Sequence, residues 1–285
     1  MKHRLDHLLV ARQLVPTRSQ AESYIRLGQV KVDGKKITKP GYFVQESAKI
    51  EFGAKEQYVS RAALKLASVT DVLGLDFKGK TVLDVGSSTG GFTDFALQHR
   101  AKKVIAVDVG TNQLHQKLRA DERVELHEKT DIRNVLPPEH SPRYPERSTR
   151  HPEYSPRHPE SVEGSSKDTT RFFDNARDDH VIHLAEKVDI AVIDVSFISM
   201  TQVLKSVGKL VKKDGQIVAM LKPQFEAGRN QLNKGVVKNS AQRRAIVQKF
   251  ELWLKNNGFV IVKKSDSGIA GEKGNVERFY LIKCQ

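Results

Sequence analysis

The stretch Thr81-Val-Leu-Asp-Val-Gly-Ser-Ser-Thr-Gly-Gly-Phe-Thr-Asp94 decides the fold. Thr81–Val85 is a run of aliphatic and β-branched residues broken by one acid, the pattern of a strand buried on both faces. It runs straight into Gly86, Gly90 and Gly91. Glycines at a strand-to-helix turn let the backbone approach a ligand closely. Their spacing is Asp-x-Gly-x-x-x-Gly-Gly, not the Gly-x-Gly-x-x-Gly of dinucleotide-binding turns. The acid near the end of this strand, Asp84, suits a cationic ligand better than a pyrophosphate. The next strand candidate also ends in an acid, Asp108, which can accept hydrogen bonds from ribose hydroxyls.

Outward from this turn, short apolar runs alternate with amphipathic ones. Strands are expected at Thr81–Val85, Val104–Asp108, Val124–His127, Ile190–Val195, Gln216–Leu221, Phe259–Lys263 and Glu277–Lys283, with a helix over Ala241–Lys255. Such alternation implies an α/β, doubly wound sheet. Residues 137–180 interrupt it with three copies of a short repeat, Arg143-Tyr-Pro-Glu146, Arg150-His-Pro-Glu153 and Arg157-His-Pro-Glu160. Each copy carries proline and none has an apolar seam, so neither a helix nor a coiled coil is expected, only an exposed insertion without a core of its own. His140, His151, His158 and His180 in this segment raise the question of a metal. Histidines spaced along a segment of no fixed geometry bind weakly, and no metal site is expected.

Composition narrows the class. The hydrophobic share is only 38%, so part of the length lies outside any core. The net charge is +14, which favours polyanionic partners. Residues 1–53 hold ten Lys/Arg against five Asp/Glu and residues 222–285 thirteen against five, whereas residues 137–180 hold seven against nine. The positive charge therefore belongs to the two ends of the chain. A solvated basic surface is the bland alternative. The single cysteine, Cys284, excludes a disulfide within the chain and a cysteine-built zinc site. With no signal-peptide core and no apolar run of spanning length, a cytoplasmic protein with no membrane partner is expected. The oligomeric state is not legible.

The first 53 residues have their own pattern. Leu5, Leu8 and Leu9 share one helical face; Ala21, Tyr24, Ile25 and Leu27 share another. Thr17 or Ser19 can cap the second helix, Gly28 ends it, Val30-Lys-Val32 begins a strand and Asp33-Gly34 signals a hairpin. Arg4-Leu5-Asp6, the Thr17-Arg18-Ser19 turn, Ala21, Ile25, Gly28-x-Val30-x-Val32-x-Gly34 and Lys39-Pro40-Gly41 together resemble the S4-like RNA-binding domain. The resemblance implies a small α+β unit that grips RNA through its helix pair and hairpin. Arg4, Arg12, Arg18, Arg26, Lys31, Lys35 and Lys36 are the candidate RNA-binding residues, mainly through phosphate and shape.

The glycine turn resembles motif I of Rossmann-like methyltransferases that use S-adenosyl-L-methionine, a cofactor with a sulfonium, an amino group and a ribose diol. The resemblance makes Asp84, Gly86, Ser88, Gly90, Gly91, Phe92, Asp108 and Asp131 candidate cofactor contacts. For Asp131, after the third strand, a plain turn aspartate is an equal reading.

Four further polar residues fall at strand ends or on the helix before the first strand. They are Lys65 in Ser60-Arg-Ala-Ala-Leu-Lys65, Asp194 before Val195-Ser-Phe-Ile-Ser199, Lys222 before Pro223-Gln-Phe-Glu226, and Glu277 in Gly274-Asn-Val-Glu277. One lysine past an apolar strand is an ordinary exposed charge. The order Lys, Asp, Lys, Glu resembles the tetrad of FtsJ-like ribose 2′-O-methyltransferases. A ribose hydroxyl must lose its proton to attack a methyl group, and a lysine near a second ammonium can take it. The resemblance implies Lys222 as general base, aligned by Lys65, Asp194 and Glu277. Arg61 and Arg229 could contact phosphate, or be surface arginines.

With these motifs in one chain, the sequence resembles the TlyA family: an S4-like domain at 1–53, a linker at 54–60, and an FtsJ-like domain at 61–285 with a seven-stranded, mostly parallel sheet. That resemblance implies 2′-O-methylation of cytidine in ribosomal RNA of one or both subunits, with ribosomal RNA or subunits as partner. The sequence departs from the family in the 137–180 insertion and in the linker Lys55-Glu-Gln-Tyr58-Val59, which lacks the arginine-tryptophan pair of some relatives. Two other classes stay open: a haemolysin or cytolysin, a label this family has also carried, and a non-catalytic ribosome-assembly factor.

Overall fold

The structure, a computed structural model, describes all residues except 54–57, 139–180, 229–231, 233–234, 238 and 272–273. The expectations for the repeats, for the four histidines of the insertion and for Arg229 lie outside the described residues.

The N-terminal unit comprises β1 (Lys2–Arg4), α1 (Leu5–Ala11), α2 (Arg18–Arg26), β2 (Val30–Val32), β3 (Lys35–Lys36), β4 (Phe43–Gln45) and β5 (Ile50–Phe52). The buried faces of α1 and α2 are those the leucine and Ala21/Tyr24/Ile25 spacings mark. Thr17 caps α2, accepting from the Gln20 N–H at 3.2 Å. Asp33 and Gly34 both have positive φ (49° and 78°), the two-residue hairpin turn that keeps the right-handed twist between β2 and β3. Asp6, fully buried in the first turn of α1, accepts from Arg4 at 2.7 Å and Arg18 at 3.0 Å, tying the start of each helix together.

The second unit contains α3 (Arg61–Leu73), β6 (Thr81–Val85), α4 (Gly91–Gln98), β7 (Lys103–Val107), α5 (Gln116–Arg119), β8 (Val124–His127), a 3-10 turn (Ile132–Asn134), β9 (Val135–Leu136), β10 (Ile182–His183), β11 (Val188–Ile193), α6 (Met200–Leu210), β12 (Val211–Leu221), α7 (Pro223–Glu226), α8 (Ser240–Asn256), β13 (Phe259–Asp266) and β14 (Arg278–Cys284). Seven strands form one sheet in the order β13-β14-β12-β11-β6-β7-β8, parallel except for β14, which is antiparallel to both neighbours. This is the seven-stranded, mostly parallel, Rossmann-like sheet that the strand candidates imply. The alternation along each strand sorts the core into two layers. Val82, Val104, Val192 and Val218 face α3 and α4. Leu83, Ile105, Ile193 and Ala219 face α6 and α8.

Boundaries differ where polar residues continue an extended backbone. β12 begins at Val211, not Gln216, and carries the exposed Lys212-Lys213-Asp214 run. β7 and β11 stop one residue before Asp108 and Asp194, and β14 begins one residue after Glu277, so each acid sits just off the sheet. The two units meet through the segment entering α3. Gln20 donates from α2 to the Tyr58 carbonyl at 2.8 Å, and the Val59 N–H donates to Asp94 of α4 at 2.8 Å. Among the described residues, no helix is long and apolar enough to cross a membrane.

Candidate active site and RNA-facing surface

Strand order reverses between β6 and β11, and in open α/β sheets that crevice at the carboxyl ends is where ligands bind. Gly86 turns the chain out of β6 with φ +81°, and a Cβ there would lie 2.8 Å from the Asp194 carbonyl oxygen. Any side chain would therefore push β6 and β11 apart. Gly91 opens α4 pressed against Ser60 and Ala62 of the α3 start, where a Cβ would come within 2.3 Å of Ser60 Oγ. The glycine turn is thus clamped between two elements.

The crevice opens into a cleft of ≈ 380 Å³ walled by Gly86, Ser88, Asp108, Asp131, Ile132 and Asp194. Asp108 accepts from the Ser88 N–H and the Gly110 N–H, both at 2.7 Å, so it holds the glycine turn as well as facing the cleft. Asp131 caps the 3-10 turn and is held by Arg133. Asp84 lies behind this cleft, 1% exposed. One oxygen accepts from the Thr93 hydroxyl at 2.7 Å; Oδ1 is buried without a hydrogen-bond partner. Burial pushes the Asp84 carboxyl up to about 7 against the pull of Thr93, with Asp194 and Asp108 adding to the rise. Crowded acids with an orphaned buried oxygen fit a cationic, ribose-bearing ligand. Of the other loop candidates, Phe92 is a buried core residue that packs 6.2 Å from Phe279, and Gly90 sits at φ +90° under Leu118 and Leu114.

A second cleft of ≈ 650 Å³ adjoins the first, sharing Ser196 and Phe197 with it. Lys65, Lys222 and Glu277 line it. Lys65 Nζ lies 2.6 Å from Glu277 Oε2, and Lys222 Nζ lies 2.6 Å from Asp194 Oδ1 and 2.8 Å from Ser196 Oγ. The four residues that sequence order singles out thus form two lysine–carboxylate pairs beside the first cleft. The pairs are largely shielded, with side-chain exposures of 13% and 3% for the first and 12% and 16% for the second.

Three neighbours carry no role in the sequence reading. Phe197 is 91% exposed, holds φ +64° and sits 5.0 Å from the Phe225 ring. A non-glycine residue in the left-handed region that displays an aromatic ring to solvent is a strained arrangement, which clusters at functional sites. Glu226 accepts from Ser199 Oγ and the Met200 N–H, both at 2.6 Å, stapling the Lys222 loop to the start of α6. Asn275 accepts from the Val237 N–H at 3.1 Å and donates to the Gly235 carbonyl at 3.0 Å, tying the loop before α8 to the Glu277 loop. Only the first of these had a local signal, an aromatic inside the short polar run after Asp194.

The basic N-terminal residues divide. Arg4 and Arg18 pair with Asp6, and Arg12 donates to the Ala48 and Glu46 carbonyls, so all three serve the fold. Arg26, Lys31, Lys35 and Lys36 are exposed. Lys31 stands directly opposite Lys36 in the hairpin, a like-charge pair that repels unless an anion lies over it. Arg61 is half-buried at the start of α3, donating to the Ala270 carbonyl at 3.2 Å while its Nε has no partner.

A glycine turn at the switch point, an acid-lined cleft beside one that holds two lysines, and this strand order are features of the Rossmann-like methyltransferase class. Residues 58–284 match the FtsJ-like methyltransferase family and residues 3–50 the S4 domain. The chain belongs to the FtsJ-like methyltransferase family, within its TlyA group. It is 31% identical to the 16S/23S rRNA (cytidine-2′-O)-methyltransferase TlyA of Mycobacterium tuberculosis, over 99% of this chain and 90% of that one. It is 33% identical to Hemolysin A of Brachyspira hyodysenteriae over 96% of this chain and 97% of that one. A solved structure from Streptococcus thermophilus aligns with a TM-score of 0.63 at 32% identity, covering 100% of this chain and 89% of that one.

Proposed function

We propose that the chain transfers a methyl group from S-adenosyl-L-methionine to the ribose 2′-hydroxyl of a cytidine in ribosomal RNA. The observation that carries this reading is the pair of lysine–carboxylate contacts, Lys65–Glu277 and Lys222–Asp194, in a cleft that shares Ser196 and Phe197 with the acid-lined cleft. The named activity of the Mycobacterium tuberculosis relative supports cytidine as acceptor.

Asp108 would hold the ribose diol of the cofactor, Asp84 its amino end, and Asp131 its base side. The cofactor supplies an electrophilic methyl on a sulfonium. Everything else is done by side chains of this chain. Acting as the free amine, Lys222 Nζ would take the proton of the 2′-hydroxyl, and Asp194, 2.6 Å away, would stabilise the ammonium that forms. Glu277 holds Lys65 in the same cleft, where its charge would steady the oxygen losing the proton. Phe197 offers its exposed face to the unstacked base, the usual platform for a nucleotide taken out of a helix. RNA docking falls to residues 1–53, chiefly Arg26, Lys31, Lys35 and Lys36, and transfer to residues 61–285.

Lys222→Ala tests the assignment. It should abolish transfer to ribosomal subunits while calorimetry still finds cofactor binding; near-normal transfer by that variant would contradict the role.

A further inference from the structure

The cleft that holds the two lysines has a second wall that the proton transfer does not use. α7 begins with Pro223 at its first position, which presets the backbone, and ends at Glu226, whose carboxylate is bonded to Ser199 Oγ and the Met200 N–H. Between those anchors lies Gln224, facing the same cleft as Lys222, Phe197 and Phe225. Its side-chain carbonyl oxygen, Oε1, is buried with no hydrogen-bond partner. A buried acceptor left unmade costs about 1–3 kcal/mol, so such a group calls for an explanation in a donor that arrives later.

The cleft places that donor. A ribose at Lys222 and Lys65 puts the attached base toward the aromatic wall of Phe197 and Phe225, whose rings lie 5.0 Å apart. Gln224 lines that cleft two residues past Lys222 and one before Phe225, so a base entering the cleft comes near this side chain. A lone acceptor matches an exocyclic amine and mismatches an exocyclic carbonyl. Cytosine presents an amine at the position where uracil presents an oxygen.

We propose that Gln224 selects the target base, its side-chain carbonyl accepting a hydrogen bond from the exocyclic amine of cytosine and rejecting uracil. This rests on the ribose-methylation reading above. Uracil would bring a second acceptor against the buried oxygen, and pairing with it would require the amide to turn over from the orientation seen; sites built around such hydrogen bonds discriminate strongly.

The test uses the full chain, labelled S-adenosyl-L-methionine, and ribosomal subunits carrying either cytidine or uridine at the nucleotide that the wild-type enzyme labels. Wild type should favour cytidine in kcat/KM by about 10–100-fold, the ratio expected for one unmade buried hydrogen bond. Gln224→Met, similar in length without the carbonyl, should bring that ratio to within about threefold of unity by lowering the cytidine rate, with cofactor affinity unchanged. Gln224→Glu keeps an acceptor and should keep the preference for cytidine, which separates a lost hydrogen bond from a damaged cleft. A wild-type ratio near unity, or a Gln224→Met ratio equal to wild type, overturns the assignment while leaving ribose methylation standing. Absence of transfer by wild type to either substrate removes both.

Discussion

Replacing Asp84 by asparagine should make the ligand-free protein more stable, and increasingly so as the pH rises. Asp84 is 1% exposed, and burial, with Asp194 and Asp108 nearby, pushes its carboxyl up to about 7 from the ordinary 3.8. A carboxyl raised on folding contributes stability that is complete below pH 3.8 and is lost as the pH climbs through about 7, because the folded state then holds a charge it solvates poorly. At about 1.4 kcal/mol per pH unit, the interval from pH 5 to the folded value removes roughly 2–3 kcal/mol. Asparagine is nearly isosteric, keeps an acceptor for the Thr93 hydroxyl and carries no charge. Thermal melts of both proteins without ligand should therefore show Asp84→Asn gaining about 2–3 kcal/mol on wild type between pH 5 and pH 8, or roughly 4–10 °C for a chain of this size. The cofactor should reverse the order. A cation held by the ionised carboxylate should raise the wild-type melting temperature more at pH 8 than at pH 6, and should raise that of Asp84→Asn less. A stability gap that does not change with pH would refute both the buried charge and its pairing with a cationic ligand.

Other consequences are simpler to read. Arg4 and Arg18 outweigh the effect of burial and hold the Asp6 carboxyl at about 2, so its contribution is present above pH 3.8 and is lost as the pH falls through about 2. At neutral pH, Asp6→Ala should destabilise the N-terminal unit by about 1–2 kcal/mol, the loss of its hydrogen bonds to two partly exposed arginines, seen as faster hydrogen exchange in α1 and α2. Lys31→Ala and Lys36→Ala should weaken RNA binding and each lower the slope of log affinity against log salt by about 1, whereas Arg12→Ala should act through stability, with the slope unchanged. Glu226→Ala removes the acceptor at the α6 start and should cost about 1–2 kcal/mol in a melt. It should also lower kcat more than it raises KM, since the Phe197 and Lys222 loops lose their staple.

How far the sequence reaches is clearest in particular residues. Thr81–Val85 and the glycines after it are legible because a buried parallel strand and a close turn each demand a narrow set of residue types, and Gly86 meets that demand against the Asp194 carbonyl. Lys65, Asp194, Lys222 and Glu277 can be grouped from the sequence because parallel β11 and β12 end, and antiparallel β14 begins, at one edge of the sheet beside α3, and their order spans the 211 positions between Lys65 and Glu277. The direction of a charge is not legible in this way. Arg12 reads as a cation for RNA until the chain folds and brings the carbonyls of Glu46 and Ala48 to it from more than 30 residues away. Phe197 and Gln224 are ordinary letters in the sequence. The positive φ of one and the orphaned oxygen of the other exist only once β11, β12 and α7 converge. The start of β12 hides for a local reason: Lys212-Lys213-Asp214 has the composition of a turn, and only pairing keeps it extended.

The most direct test of the account is methylation of unmodified ribosomal subunits by the full chain with labelled S-adenosyl-L-methionine, followed by mapping of the product. A single label resistant to alkaline cleavage at one cytidine, absent with Lys222→Ala, is the result the two lysine–carboxylate pairs predict. A label on a base, or no label on either subunit, would contradict it.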